Sequence, residues 1–317
     1  MRIVSLVPHA TELLFALGLG PQVVAVTHEC DHPPEALERS RVTRDVLEPG
    51  LSAAGIDAAV RERTLSGEAI YELDRAALAR LEPELIVTQA LCPVCAVSYD
   101  EVAALAQELP RRPEVISLDP KTLGEMLEDV HTLARATGRA ELGAELVRRA
   151  RERVELVKQA VSGLLRPRVA ALEWLEPVYI AGHWTPELIE LAGGEDVLGD
   201  PGQPSRTARW EAVAAAGPQV VVVMPCGYDA ERSHEEARAY ASELAALGAG
   251  RVVAVDASAY FSRPGPRLIE GLELLARALH PAAFSDPPPA GRLLAVELDA
   301  SANAVARARQ ELPSLRE

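Results

Sequence analysis

Side chains that can ligate a metal follow several short apolar runs that are typical of buried β-strands. They comprise the four cysteines and four of the seven histidines of the chain: His9, His28, Cys30, His32, Cys92, Cys95, His183 and Cys226. Imidazole suits iron and related transition metals, and thiolates suit softer metals. Ligands of open α/β sheets bind outside the carboxyl ends of the strands. The pattern therefore predicts a small-molecule or metal-chelate site where these strands end.

The set His28, Cys30 and His32 is the best candidate for a metal site. These residues alternate along the chain, and an extended backbone would present all three on one face. A zinc site is a second interpretation, in which Cys92 and Cys95 are joined by Cys30 or His28. The Cys-Pro-Val-Cys motif is also compatible with thioredoxin-type redox chemistry, or with two buried thiols in a pocket wall.

Aromatic residues make up only 4% of the chain, and several of them lie at the ends of strand patterns. Ligand pockets are mostly apolar and aromatic, with a few polar groups that orient the ligand. Arg263 follows such a strand and could meet a phosphate, a carboxylate or an amide. The residues predicted to contact the ligand are Pro8, His9, His28, Glu29, Trp174, His183, Trp184, Tyr260, Phe261 and Arg263.

Strand and helix patterns alternate along the chain, which is typical of parallel βα units. The strand patterns lie near residues 2–7, 22–27, 84–89, 114–118, 168–173, 178–182, 219–224 and 251–256. The helix patterns around them lie near residues 11–17, 52–65, 99–109, 186–192 and 266–279. These patterns predict two sets of βα units.

A long segment without strand patterns separates the two sets. Residues 122–136 predict one helix and residues 141–162 a second, whose apolar residues keep to one face. At about 1.5 Å per residue, the second helix would be about 33 Å long. The predicted fold class is therefore α/β, with two Rossmann-like lobes joined by a single long helix and a ligand cleft between the lobes.

The domain boundaries are predicted from the same patterns. Residues 1–120 form an N-terminal α/β lobe, 121–163 the linker helices, 164–285 a C-terminal α/β lobe, and 286–317 a C-terminal extension. In both lobes a short helix ends before a proline and leads directly into a buried strand. Asp74 and Glu211 lie near the starts of these two helices. The shared pattern indicates that the lobes are related.

The charge and motifs of the chain argue against several classes of protein. Lys+Arg 32 against Asp+Glu 47 gives a net charge of −15, which speaks against binding nucleic acid through its phosphates. No apolar run has the length of a transmembrane segment. No signal peptide precedes the first strand, which predicts a cytoplasmic protein as the sequence stands, or a periplasmic or extracytoplasmic one if a leader was removed. No nucleophile elbow or phosphate-binding loop is found, which favours binding over catalysis.

Several motifs resemble those of a known family. They lie at Arg2–Leu14, Cys30–Pro34, Leu81–Ile86, Gly193–Val197, Trp210–Val213, Pro218–Val220 and Phe261–Arg267. In their order and spacing over residues 2–280, the chain resembles the helical-backbone (class III) periplasmic binding proteins of ABC importers. The resemblance is to the cobalamin and iron-chelate group, and within it to the cobalamin-binding members.

That resemblance implies a substrate-binding protein, not an enzyme, that binds cobalamin or a related corrinoid between its lobes. A corrin is a wide, mostly apolar disc with amides at its rim, which suits walls of aromatic and aliphatic residues. Family members dock on an importer permease through one acidic residue on each lobe. The matching residues here are Asp74, where the family has glutamate, and Glu211.

Three features depart from the family pattern: the absence of a leader, the insertion around residues 48–72, and the loop with Cys92 and Cys95. A cytoplasmic subgroup that handles corrinoids would account for all three. The main alternative is a cytoplasmic protein in which the cysteine and histidine cluster holds zinc or performs thiol-redox work. A ferric-chelate-binding component of an importer is a third interpretation.

Overall fold

The computed structural model describes residues 1–90 and 97–298 of the chain. The predictions for Cys92 and Cys95 therefore lie outside the described residues. The chain divides into two compact units. The first unit comprises residues 1–150 and 264–266, and the second comprises residues 151–263 together with the described residues from 267 onward.

Strands and helices alternate along both units, as the sequence pattern predicts. In the described residues, the strands are β1 (Ile3–Ser5), β2 (Val23–Val26), β3 (Ser40–Arg41), β4 (Thr43–Asp45), β5 (Tyr71–Leu73), β6 (Leu85–Thr88), β7 (Glu114–Ser117), β8 (Arg168–Leu175), β9 (Val178–Ile180), β10 (Glu195–Asp196), β11 (Arg206–Ala208), β12 (Val220–Val223), β13 (Arg251–Val255) and β14 (Leu293–Ala295). The α-helices of the same residues are α1 (Pro8–Ala16), α2 (Ala53–Leu65), α3 (Arg75–Leu81), α4 (Tyr99–Glu108), α5 (Leu123–Ala136), α6 (Ala140–Val161), α7 (Thr185–Leu191), α8 (Trp210–Ala215), α9 (Ala230–Ala239), α10 (Ala241–Ala246), α11 (Ala257–Tyr260) and α12 (Leu268–Leu279). Short 3₁₀ helices lie at Gly20–Gln22, Pro34–Glu38 and Pro281–Ala283.

The main sheet of the first unit has five strands in the order β3-β2-β1-β6-β7, and every pair is parallel. Its central strands are buried on both faces, which explains why they form continuous apolar runs in the sequence. A separate antiparallel pair, β4 and β5, places Thr43 opposite Leu73. Because the main strands are parallel, the residues that follow β1, β2 and β6 lie along one edge of the sheet.

The sheet of the second unit has seven strands in the order β11-β9-β8-β12-β13-β14, with β10 also beside β8. The strands β8, β10, β12 and β13 are parallel, whereas β9, β11 and β14 run antiparallel to their neighbours. The last strand, β14, belongs to the segment that was predicted as a C-terminal extension. Val296, just after it, is buried, so this segment contributes to the core of the unit.

The two long helices predicted between the strand sets are both present. Thr122 caps the first of them, α5, by accepting a hydrogen bond from the backbone N–H of Glu125 over 3.1 Å. The second, α6, has 22 residues, which corresponds to about 33 Å at 1.5 Å per residue. The division between the two units falls within α6, after Ala150.

The helix that precedes a buried strand ends in the same way in both units. Glu82, after α3, has a φ of 43°, and Gly217, after α8, has a φ of 59°. Each left-handed residue is followed by a proline and then by the strand, β6 or β12. The structure thus shows the shared pattern that the sequence indicated. None of the helices in the two described ranges has the length and apolarity that crossing a bilayer requires.

Candidate functional site

His28 is held at the carboxyl edge of the first sheet by the β4–β5 pair. It lies in a turn just after β2, and its backbone N–H donates to Oγ1 of Thr43 over 3.1 Å. Its ring Nδ1 lies 2.8 Å from the same oxygen. The ring of Tyr71 packs against the imidazole, with the centroids 5.2 Å apart. Two short strands therefore fix the orientation of this imidazole.

A small pocket surrounds His28. The hydroxyl of Tyr71 donates to Oε1 of Glu29 over 3.1 Å and closes one side of it. The lining residues are Leu6, Thr27, His28, Glu29, Thr43, Tyr71 and Val97. The cavity volume is only about 10 Å³, far below the range of about 300–1,000 Å³ that is typical of sites for whole ligands. The pocket is therefore a shallow depression that can contact one edge of a larger molecule and cannot enclose it.

Thr43 and Tyr71 were not predicted as site residues. Their strands have three residues each, Thr-Arg-Asp and Tyr-Glu-Leu, so the sequence has no extended apolar run at either strand. The alternation of apolar and charged residues in Tyr-Glu-Leu was the only available signal, and it is weak over three residues.

The predicted metal trio His28, Cys30 and His32 does not form. The backbone N–H of Cys30 donates to the carbonyl of Thr27 over 3.3 Å, so the segment is a turn and not the extended stretch that would align the three side chains. Cys30 is buried, with Sγ 3.1 Å from the hydroxyl oxygens of Thr11 and Thr27. Among the described residues, no three histidine, cysteine or acidic side chains are arranged to hold a metal ion.

His9 lies in a helix and not in a loop. Pro8 occupies the first turn of α1, where its missing N–H is harmless, and His9 follows it in the same turn. The imidazole is buried at 2% exposure and packs against Gly265, where an added Cβ would lie 3.3 Å from Cβ of His9. A residue this buried has little surface for a ligand, so its predicted role as a ligand contact is not supported by its position.

Glu173 occupies a β-bulge near the carboxyl end of β8. Leu172 pairs with Ile180 and Trp174 pairs with Tyr179, so Glu173 is the additional residue. Burial raises the pKa of the Glu173 carboxyl to about 7, and a hydrogen bond with Ser205 opposes this rise. The sequence did not indicate Glu173, because a single glutamate in a strand is usually on a solvent-facing side.

Trp174 follows the bulge and forms an aromatic wall with Tyr228. The two rings meet edge to face, with centroids 5.5 Å apart. The guanidinium of Arg232 lies 3.7 Å from the centroid of the Tyr228 ring, a cation–π contact that fixes the tyrosine. Trp174 is partly exposed, and its predicted role in lining the site stays a prediction.

His183 adopts a left-handed backbone conformation, with a φ of 51°. Its N–H donates to the carbonyl of Gln203 over 2.6 Å, and its own carbonyl accepts the N–H of Gly202 over 2.9 Å. The imidazole stacks on Trp184 with centroids 5.4 Å apart and remains partly exposed. Left-handed non-glycine residues persist where the surroundings impose them, often at functional sites.

The loop after β13 divides into buried and exposed residues. Phe261 is buried at 3% exposure, because it packs under α12 beside Gly271. Trp184, at the start of α7, is buried as well, at 6% exposure. Both were predicted to line the site, and their burial leaves them little surface for a ligand. Tyr260 and Arg263 keep partial exposure, and Nη2 of Arg263 lies 3.4 Å from Oγ of Ser258.

The predicted docking residues lie at helix starts on the surface. Asp74 is the N-cap of α3, with Oδ1 accepting the N–H of Ala77 over 2.8 Å, and it is exposed. Glu211 lies in the first turn of α8 and is also exposed. Each acid lies at the start of the helix that precedes a buried strand of its own unit, Asp74 at the N-cap and Glu211 at the second helical residue.

Two open α/β units, with imidazole, aromatic and carboxyl groups where the strands end, define a two-domain protein of the small-molecule-binding type. Residues 3–259 match the family model described as periplasmic binding protein, and the chain belongs to that family. The fold class and the family predicted from the sequence are therefore confirmed. The prediction of a ligand cleft between the lobes stays a prediction.

Known proteins of this type are similar to most of the chain. The vitamin B12-binding protein of Vibrio cholerae is 27% identical over 274 residues, which cover 86% of each chain. The crystal structure of the periplasmic vitamin B12 binding protein BtuF of Vibrio cholerae matches at a TM-score of 0.65, with 25% identity and coverage of 90% of this chain and 98% of that chain. A periplasmic heme binding protein from Pseudomonas aeruginosa matches at a TM-score of 0.67, covering 93% and 98% of the two chains, but at 19% identity it shows the fold alone.

Proposed function

We propose that this protein binds cobalamin or a related corrinoid and delivers it to the permease of an ABC importer. One observation carries the proposal: the chain aligns over 86% of its length with a vitamin B12-binding protein of Vibrio cholerae. The relatives are binding proteins, and in keeping with them we assign a role in binding without turnover.

The chemistry of both sheet edges suits a corrinoid. Trp174 and Tyr260 offer partly exposed aromatic surface in the second unit, against which an apolar ring system can pack. In the first unit, the pocket of His28, Glu29 and Tyr71 combines an aromatic ring with polar groups. We assign ligand contacts to these residues, to His183 and to Arg263.

His28 is the candidate axial ligand of the corrinoid cobalt. Oγ1 of Thr43 accepts the backbone N–H of His28 and has a second lone pair for the ring N–H at Nδ1. In that tautomer Nε2 carries a lone pair and is able to ligate a metal. Metal-binding histidines usually donate their other ring N–H to a fixed oxygen in this way. Zinc has no such support among the described residues, where no ligand cluster of three is found.

Asp74 and Glu211 are proposed as the contacts with the permease. Both carboxylates are exposed at the starts of their helices, and neither is in an ion pair within the described residues. Reversing both charges with Asp74→Lys and Glu211→Lys should abolish corrinoid uptake by cells that depend on the importer while leaving binding in solution unchanged. Normal uptake by that double variant would refute the assignment.

The cellular location of the protein is proposed from its family. Because the chain belongs to the periplasmic binding proteins, we favour the periplasmic or extracytoplasmic location over the cytoplasmic one. Fractionation of cells that express the native gene tests this: recovery of the protein in the periplasmic or extracellular fraction is expected, and recovery in the cytoplasm alone would contradict it.

Competition by equilibrium dialysis tests the ligand class. Purified protein is held with radiolabelled cyanocobalamin and challenged with unlabelled cyanocobalamin, haemin or a ferric siderophore. Displacement by cyanocobalamin at much lower concentration than by the other two is the expected result. Preferential displacement by haemin or by the siderophore would instead establish the ferric-chelate alternative.

A further inference from the structure

The β-bulge at Glu173 places a carboxyl group at the edge where the second sheet ends. The N–H of Met224 donates to the carbonyl of Leu172, and the N–H of Cys226 donates to the carbonyl of Glu173. Glu173 therefore lies level with the loop that follows β12. A bulge takes a side chain out of the strand alternation and often does so beside a binding site. The residue is partly exposed, so a bound molecule can reach it.

This carboxyl has a hydrogen-bond partner but no cation beside it. Ser205 bonds to it, and in the part of the chain that the structure describes no lysine, arginine or histidine forms an ion pair with it. Burial disfavours the charged form and raises the pKa of Glu173 to about 7. Near neutral pH, both the acid and the carboxylate are therefore present.

Gly182 fixes the direction of the Ser205 hydroxyl. The N–H of Gly182 donates to Oγ of Ser205 over 3.1 Å. A side chain at Gly182 would overlap the backbone of Gln203 and Ser205, so only glycine permits this approach. With an N–H already bound to its oxygen, Ser205 has its own proton available for the Glu173 carboxyl. A carboxyl group has two oxygens, so one hydrogen bond from Ser205 leaves capacity for a ligand.

We infer that Glu173 is a specificity-determining contact that recognises a primary carboxamide on an uncharged ligand. This inference rests on the proposed function, because the amides at the rim of a corrinoid are groups of this kind. It goes further in naming the residue that selects an amide-bearing corrinoid over a ring system that carries carboxylates.

The carboxamide is the group that suits both protonation states of Glu173. The neutral acid donates its O–H to the amide carbonyl, and the carboxylate accepts from the amide NH₂. A ligand carboxylate is compatible with the neutral acid alone. The ionised acid repels it, because two like charges at contact distance disfavour each other. Since no cation among the described residues forms an ion pair with Glu173 to offset this repulsion, a propionate of a porphyrin is disfavoured here.

Two variants and two kinds of ligand test the inference. Affinities for cyanocobalamin and for each of its isomeric monocarboxylic acids are measured calorimetrically at neutral pH with the wild type, Glu173→Gln and Glu173→Leu. Glutamine keeps the size and the neutral hydrogen-bonding groups, and leucine keeps the size alone. Glu176→Gln, at an exposed carboxylate in the turn after β8, is the matched control. Circular dichroism confirms that each variant is folded.

The inference requires three results. Glu173→Leu loses about tenfold in affinity for cyanocobalamin, the cost of an unmade hydrogen bond in a buried site, whereas Glu173→Gln and Glu176→Gln stay within about threefold of the wild type. At least one monocarboxylic acid binds the wild type about tenfold more weakly than cyanocobalamin, and Glu173→Gln removes most of that difference. A purely structural role would not produce this change in selectivity.

Failure of the inference and failure of the proposed function give different results. If the wild type binds cyanocobalamin and Glu173→Leu binds it equally well, or if no monocarboxylic acid is discriminated, the inference is overturned while the proposed function stands. If the wild type binds no corrinoid, the proposed function and the inference fall together.

Discussion

Trp184 donates its indole N–H to the carbonyl oxygen of Phe261 over 2.8 Å, although 77 residues separate the two in the chain. Both residues are buried. The bond ties the start of α7 to the segment between α11 and α12, which directly follows Tyr260 and contains Arg263. This segment, at which we propose ligand contacts, is thus anchored by a hydrogen bond from another part of the same unit.

Trp184→Phe should lower the free energy of unfolding by about 1–3 kcal/mol, because it leaves the buried carbonyl of Phe261 without its donor. Urea denaturation followed by circular dichroism measures this. Trp174→Phe is the matched control, since the indole nitrogen of Trp174 is buried without a hydrogen-bond partner in the described residues. Equal losses for the two variants would show that ring size, and not the bond, is responsible.

Glu82→Gly should stabilise the protein. Glu82 ends α3 at a φ of 43°, a conformation that disfavours residues with a Cβ. Its ion pair with Arg111 is exposed and contributes little. We expect a gain of about 0.5–1 kcal/mol by urea denaturation. The converse variant, Gly217→Ala, should lose about 1 kcal/mol at the equivalent position, and a gain there would contradict the explanation.

Asp129→Asn should stabilise the protein in a pH-dependent way. Burial, followed by the charges of Asp119 and Glu125, raises the pKa of Asp129 to about 7 from 3.8. A carboxyl whose pKa is raised by folding contributes stability below its unfolded pKa and loses it as the pH rises through the folded pKa. At about pH 8 the variant should therefore gain on the order of 1 kcal/mol over the wild type, and near pH 5 much less. Glu128→Gln, at an exposed neighbour on the same helix, should show no such trend, and a parallel trend there would refute the assignment.

His28 should change the absorption spectrum of a corrinoid whose axial position is open to exchange. With hydroxocobalamin, ligation by the imidazole should shift the visible bands on binding, whereas cyanocobalamin should show a much smaller shift. His28→Ala should abolish the shift, while Thr43→Val should weaken it, because Thr43 orients the ring. An unchanged shift in His28→Ala would exclude this histidine as the cobalt ligand.

The parallel strands could be predicted because burial on both faces makes them continuous apolar runs, as in Val220–Val223. The short strands β4 and β5 could not be predicted. Their residues Thr43 and Tyr71, which contact His28, could therefore not be predicted either. The turn at Cys30 was also beyond prediction, since the same residues fit a turn or an extended stretch. The start of α1 was predictable in principle, because Pro8 favours the first helical turn.

The burial of individual side chains was the least predictable property of the site. Phe261 and Tyr260 are adjacent aromatic residues after the same strand, yet one is buried under α12 and the other is partly exposed. Glu173 became a candidate only through the bulge, which depends on how β8 and β9 pair. Such features arise from packing between distant segments, and a local sequence pattern does not contain them.

Calorimetric titration of the purified protein with cyanocobalamin is the decisive test of corrinoid binding. We expect saturable binding of one corrinoid per chain, with a Kd in the micromolar range or below. A titration without binding heat, with equilibrium dialysis confirming that no cyanocobalamin is retained, would contradict it.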